Sequence, residues 1–467
     1  MTGVLIQDVA WGDGRADLRC TDGRITAIAR ELTPMPDEEV VSGAVAVLPG
    51  LHDHHLHLLA MAAHRDSVDL GPDRVTGRAD MARLLVRARA SSADGAWIRA
   101  VGYDERAGGR LDRWVLDELV ADRPLRIQDR TGHLWVLNSA ACTLVDLDAD
   151  GPDGAERADG VATGRLVDTD DWLGGRTATD RPPDLAPVGT RLASFGVTGV
   201  TDATPFDRVD DVAPLAGAVA SGALTQRVVV TGGPGLAGVP APVGLVTGPV
   251  KIMVGDASYP SVDGLASLMT GAHGHGRPVA LHCASRIAAV LALAAWESVG
   301  SRPGDRMEHG SVLPPDVVAR LAALGITVVT QPGFLYDRGD RYLAEVEPAD
   351  LPHLYRCASL EADGLGVGGG TDAPFGPDDP WVAMRAAVDR RTRAGAVVGA
   401  DERVTPARAL GLFLSDPATP GGPPRLIGEG GPGDLVLLDC TVDQALADLD
   451  AGHVVATVAA GRVVHRS

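Results

Sequence analysis

Lysine is all but missing from this chain: Lys251 is the only one, against 41 arginines in 467 residues. A guanidinium stays protonated and is no nucleophile, so side-chain amine chemistry can fall on one position alone. Cysteine is equally sparse. Cys20, Cys142, Cys283, Cys357 and Cys440 are odd in number and far apart, with no CxxC pair. That excludes a disulfide framework or a thiolate zinc site and predicts reduced thiols in a cytoplasmic protein. Aromatics are only 4%, so Val, Leu and Ala must fill the core. No apolar run approaches the roughly 18 residues of a membrane span, and the N-terminus lacks the basic start and apolar stretch of a leader. Excess positive charge is absent too. A net charge of −20 and a pI near 5.0 repel phosphate backbones and argue against a nucleic-acid partner. The glycine-rich Gly364–Gly370 lacks the Lys-Ser/Thr of a phosphate loop and reads as close packing.

What is present has an orderly arrangement. Val4–Ile6, Ala16–Cys20 and Arg24–Ile28 read as strands at one end; Asp434–Asp439, Val454–Ala459 and Arg462–His465 read as strands at the other. Neither set suffices for a stable sheet. Residues 1–48 and 430–467 are therefore expected to form one small β-sandwich. Between them, over 49–429, apolar β runs alternate with Ala/Leu/Arg-rich helical stretches, the signature of βαβ units. Strands are expected at Val45–Leu48, Thr198–Asp202, Arg227–Thr231, Val250–Val254, Pro278–His282, Arg306–His309, Thr327–Thr330 and Leu365–Asp372. Eight such strands match a TIM (β/α)8 barrel, giving an α/β fold class. The segment of about 60–190 is too long for one βα unit and reads as an insertion.

The polar residues at these strand ends carry the chemistry. His55 and His57 in Pro49–His57 are two apart, so in extended chain both imidazoles leave one face. His52 and His54 fall on the other parity and read as structural. His282 and His309 each end an expected strand, where barrels of this kind place reactive groups. Lys251 to His282 is 31 residues and His282 to His309 is 27, each close to one βα unit; the 63 residues to Asp372 leave room for two. Lys251 sits in a short apolar run that would bury it. A buried amine can lose its proton and add CO2, giving a carbamate with two ligand oxygens.

This pattern resembles the amidohydrolase superfamily: HxH after strand 1, lysine on strand 4, histidines on strands 5 and 6, aspartate on strand 8. The resemblance covers nearly the whole chain. It implies a metal site of His55, His57, Lys251, His282, His309 and Asp372, holding one or two divalent ions, with Lys251 carboxylated. Within the superfamily, Val101–Glu105, Thr131–Ser139, Thr330-Gln-Pro332 and Phe375–Trp381 are similar to elements of N-substituted formamide deformylases. His282-Cys-Ala-Ser-Arg286 departs from the AxGD-type turn of that branch.

Imidazole and carboxylate ligands suit Zn²⁺ as well as Fe, Mn or Co. The expected activity is hydrolysis of a C–N bond in an amide, N-formyl compound, carbamate or cyclic amide, with Asp372 as general base and then acid. His133, Tyr103 and Gln331 are candidates for binding the substrate carbonyl. The partner expected is a small-molecule substrate, with no membrane and a homodimer allowed. Two rivals stand beside this reading. One is a deaminase of the same superfamily, which would use HxxE after the strand-5 histidine, where Ser285 stands here. The other is a non-catalytic binding protein, which would have lost a ligand.

Overall fold

The computed structural model describes residues 3–12, 14–93, 95–177, 182–255 and 259–467, so Met1 and Thr2 of the leader reading lie outside it. The chain forms two compact units, Met1–Leu58 with Leu185–Ser467, and Leu59–Asp184.

In the first unit Gly50 divides one β run into two strands that join different sheets. A Cβ at Gly50 would lie 2.2 Å from the Thr198 hydroxyl, so only glycine allows the close crossing there. Before it, Ala46–Pro49 pairs antiparallel with Leu435–Leu438 near the other end of the chain. After it, Leu51–Leu56 pairs parallel with Val197–Asp202. The strand that carries the histidines is therefore Leu51–Leu56, not the Val45–Leu48 run that the sequence suggests.

The terminal sheet contains Gly3–Trp11, Gly14–Thr21, Arg24–Ala29, Glu39–Val41 and Ala46–Pro49. Leu435–Leu438, Val454–Ala459 and Arg462–Arg466 complete it. The sequence reads as a sandwich; hydrogen bonding runs through all eight strands as one sheet. Ile6, Leu18, Leu437 and Val458 pack into one buried cluster beneath it, the apolar burial that gives a sheet its stability.

Two parallel sheets make up the rest. One orders Val246–Thr247, Arg227–Val230, Val197–Asp202 and Leu51–Leu56; the other orders Val250–Met253, Val279–Cys283, Arg306–His309, Thr327–Thr330 and Val367–Gly369. Helices lie between successive strands. Arg286–Val299, for example, buries Ala288, Ala292, Leu293 and Trp296 on one stripe, and Ser285 caps its N-terminus by accepting from Ala288 N at 3.2 Å. Backbone bonds also link the two sheets near their strand ends: Asp372 N to His55 O at 2.7 Å, His57 N to Ala373 O at 2.9 Å, and Lys251 N to Gly232 O, just past Arg227–Val230, at 2.8 Å. The last strand is shorter than the expected Leu365–Asp372, so Asp372 lies three residues past its end.

The second unit holds a six-stranded sheet in the order Ala155–Ala158, Val161–Val167, Leu134–Leu137, Leu125–Asp129, Ile98–Tyr103 and Val68–Asp69. Leu85, Ile98, Leu116 and Ile127 form its buried core.

Candidate metal centre

Every residue of Leu51–Leu56 is buried, although the strand reads Leu-His-Asp-His-His-Leu. Such a strand is tolerable only if each polar group finds a partner. His52 Nε2 meets Thr201 Oγ1 at 3.0 Å, and His54 Nε2 meets Ser415 Oγ at 2.9 Å. Asp53 accepts from the Thr371 hydroxyl at 2.5 Å. These bonds anchor the strand and leave His55 and His57 for another role.

Both of those rings are oriented from behind. His55 Nδ1 donates to Glu308 at 2.5 Å, and Glu308 is held by Arg306 Nε at 2.6 Å, all three essentially excluded from solvent. His57 Nδ1 meets Thr204 Oγ1 at 2.9 Å. The carboxylate behind His55 places the proton on its Nδ1 and leaves the Nε2 lone pair pointing forward, the tautomer of a metal ligand; the Thr204 contact orients the His57 ring with Nε2 toward Asp372. His55 Nε2 lies 3.4 Å and His57 Nε2 3.1 Å from Asp372 Oδ1. Neither His55 Nε2 nor Asp372 Oδ1 has a hydrogen bond of acceptable geometry, although both are buried. Ligand atoms of His55, His57 and Asp372 all fall within 4.8 Å of one another.

His309 and His282 extend the cluster. His309 Nδ1 faces Gln331 Oε1 at 2.8 Å, so its Nε2 lone pair also points inward, 3.0 Å from His282 Nδ1. Its ring centroid is 4.8 Å from that of His55. His309 and Asp372 both adopt left-handed backbone, φ 68° and 55°, a costly conformation away from glycine that collects at functional sites. Gly370 permits the approach of the two strand ends, since a Cβ there would stand 2.6 Å from that of His55.

Lys251 is 1% exposed and its Nζ has no hydrogen-bond partner. Burial lowers its pKa, against the pull of Glu308 and Asp372. Burial likewise holds His55 well below its ordinary value, with Lys251 adding to the effect, and so keeps the ring neutral. Asp372 goes the other way: burial would raise it, but His55 and His57 hold it at about 2, fully ionised at neutral pH.

The remaining candidates are placed differently. Gln331 is fully buried, with Oε1 on His309 and Nε2 donating to Val329 O at 3.2 Å. Its bond to Nδ1 orients the His309 ring. Tyr103 is 1% exposed in the core of the second unit, its hydroxyl bonded to Gly109 O, which is a structural role. His133, also in the second unit, is half exposed and paired with Asp168 at 2.6 Å, a bond that raises its pKa. Ser285 is occupied as a helix cap, so the position where a HxxE deaminase carries its carboxylate holds a hydroxyl tied to backbone. Sequence reasoning missed the orienting roles of Glu308 and Thr204. Adjacency of Glu308 to His309 was the one available signal, and it could not say which histidine the carboxylate would reach.

Residues 45–465 match the amidohydrolase family. An N-substituted formamide deformylase of Arthrobacter pascens is 27% identical over 470 residues, 86% of this chain and 85% of its own. The crystal structure of an uncharacterised metal-dependent hydrolase from Pyrococcus horikoshii superposes with a TM-score of 0.74 at 20% identity, covering 97% of this chain and 99% of that one. N-isopropylammelide isopropylaminohydrolase from Burkholderia multivorans gives 0.52 at 18% identity, over 100% and 99% of the two chains. At these identities the two structures establish a shared fold.

Proposed function

The chain belongs to the amidohydrolase family, metal-dependent hydrolases of C–N bonds, and on that premise we propose that it hydrolyses an amide, N-formyl, carbamate or cyclic-amide bond at the His55–His57–Asp372 cluster. One observation carries the reading: ligand atoms of His55, His57 and Asp372 converge, and two of them, His55 Nε2 and Asp372 Oδ1, are buried without a hydrogen-bond partner. Left alone, two imidazole lone pairs facing a carboxylate are unfavourable; a cation resolves the conflict. We assign one ion to His55, His57 and Asp372. Lys251 as a carbamate, His282 and His309 would take a second, and the orphaned Nζ supports that modification. Zn²⁺ suits this donor set.

A bound divalent ion supplies Lewis acidity, lowering the pKa of water from about 15.7 toward 7 and polarising the scissile carbonyl. The chain's own residues do the rest. Asp372, ionised at neutral pH, accepts the proton of the attacking water and returns it to the departing nitrogen. Glu308, Thr204 and Gln331 hold the three imidazole rings in orientation throughout. His133 is kept as a candidate contact for the substrate. The deformylase relative makes N-formyl compounds the first class to screen.

The fold reading that accompanies this is a closed (β/α)8 barrel over 49–429, supported by the backbone bonds between the two parallel sheets, with a β-sandwich from 1–48 and 430–467. Five cysteines outside any disulfide, four of them buried, support a cytoplasmic setting. The test is release of amine and acid from N-formyl, N-acyl and carbamate compounds by Zn²⁺-loaded protein. Turnover that disappears on chelation and returns with metal is expected. Turnover that survives complete metal removal would overturn the reading.

A further inference from the structure

The second unit contains a pair of cations that, among the described residues, form no ion pair with a carboxylate. Arg99 in Ile98–Tyr103 is the register partner of Arg126 in Leu125–Asp129, so two guanidiniums leave adjacent strands on the same face. Like charges directly opposite in a sheet destabilise it. Trp135, in the neighbouring strand Leu134–Leu137, lies beside both: each guanidinium carbon is 5.3 Å from the indole. Arg126 also stands 5.5 Å from Trp97.

Several other arginines of this unit are matched with carboxylates, as Arg113 is with Asp148 at 3.0 Å and Arg165 with Glu105 at 2.7 Å. Among the described residues, neither Arg99 nor Arg126 has a carboxylate within 4.0 Å. Their hydrogen bonds go to neutral groups: Arg99 to Ser67 Oγ at 2.7 Å and Gln128 Oε1 at 3.4 Å, Arg126 to Thr177 Oγ1. Arg126 Nε is buried with no partner at all. Asp170, the acid that acts on both arginines electrostatically, already accepts from Trp135 Nε1 at 2.8 Å. Burial pushes Arg99 down to about 10, and Arg126 adds to the effect. In a chain of net charge −20, carboxylates are not scarce. Here the acid at hand, Asp170, bonds the indole and neither guanidinium.

We propose that Arg99 and Arg126, over the Trp135 ring, form a binding site for the oxyanion group of a small molecule. Two forked guanidiniums side by side match the planar, bidentate demands of a carboxylate or phosphate, and the indole supplies an apolar floor. The three residues belong to the second unit, and the test of the site does not depend on the hydrolase reading.

The experiment titrates the full-length, metal-loaded protein with sodium acetate or inorganic phosphate, at constant ionic strength set by chloride. Tryptophan fluorescence and melting temperature are followed together. A saturable response to one anion in the wild type is expected, and the arm that responds identifies the carboxylate or the phosphate. Arg99→Gln and Arg126→Gln should weaken it about tenfold or more, the cost of a charge-assisted hydrogen bond. In anion-free buffer the same variants should melt no lower than wild type, because a repulsion has been removed. The proposal is overturned by the absence of a saturable wild-type response to either anion. Wild-type behaviour in both variants would also overturn it, because the anion would then be bound at the metal. So would clearly lower melting of both variants without anion, which would make the pair a structural stack.

Discussion

Two groups of metal-type donors converge among the described residues, and they could hardly be more different. His55, His57 and Asp372 are buried at the ends of parallel strands; Asp439, Cys440 and His453 lie toward the surface near the C-terminal end of the chain. Both bring imidazole and carboxylate within reach of a common point. In the first, each histidine spends one nitrogen on a partner behind it and presents the other as a bare lone pair. In the second, His453 spends both: Nδ1 on Asp439 at 2.8 Å and Nε2 on Asp448 at 3.0 Å. Those two bonds raise its pKa, Asp448 foremost, whereas burial drives His55 down. A proton already satisfies the surface cluster. Donor proximity alone therefore says little; what distinguishes a metal site is the hydrogen bond on the far side of each ring.

The sharpest break between the two should come at Asp372. Asp372→Asn preserves the shape but cannot move a proton at neutral pH. Turnover on a substrate found by the screen should fall by about 10²- to 10⁴-fold, with folding by circular dichroism unchanged. Near-normal rates would shift the proton-transfer role elsewhere, Glu308 first.

Metal content separates the clusters next. His55→Ala and His309→Ala should each lose bound metal by elemental analysis, and His453→Ala should lose none. Equal content in all three would dismiss the buried assignment. Weakening of the orienting contacts should cost less. Glu308→Gln leaves His55 in place but blurs its tautomer, and a loss of about 10- to 100-fold in metal affinity is expected.

How much of this arrangement was visible beforehand varies with the physics involved. Spacing near 30 residues and apolar runs located Lys251, His282 and His309, because βαβ units have a characteristic length. Parity separated His55 and His57 from His52 and His54, because side chains alternate along a strand. The strand boundary at Gly50 was missed. Nothing local distinguishes Val45–Leu48 from Leu51–Leu56 as the inner strand, since the choice rests on which distant strand each meets. The surroundings of Gln331 and Tyr103 were not legible for the same reason: whether a polar side chain beside a motif meets substrate or framework depends on contacts set by the tertiary fold. The role of Glu308 was hidden in the same way, since its bond to His55 spans 253 positions.

Lys251 gives a subtler contrast, because it is a chemical question within one cluster. As the only lysine, it can be followed by amine-reactive labelling with only the N-terminal amine as background. If it is a metal-bridging carbamate, labelling should be suppressed in the loaded protein and appear after chelation at low CO2. Lys251→Ala should lose activity and recover part of it with a short carboxylic acid, and Lys251→Arg should not. Equal labelling in both states would leave a single-ion site.

The smallest expected effect tests the surface cluster itself, through its sign. His453 faces Asp439 and Asp448, with the Cys440 thiol nearby. Its folded pKa lies above the unfolded value of about 6.5. Its contribution to stability is then fully present below about 6.5 and is lost as pH rises through the folded value. The group is only partly shielded, so the effect is modest and screened by salt. Comparing melting temperatures of wild type and His453→Gln at low ionic strength should show a gap that closes as pH increases. A metal held by the same atoms would give the opposite slope, because it needs the imidazole deprotonated and gains as protons leave. A gap that widens with pH in the presence of zinc would therefore make the surface cluster a second metal site and erase the distinction drawn between the two.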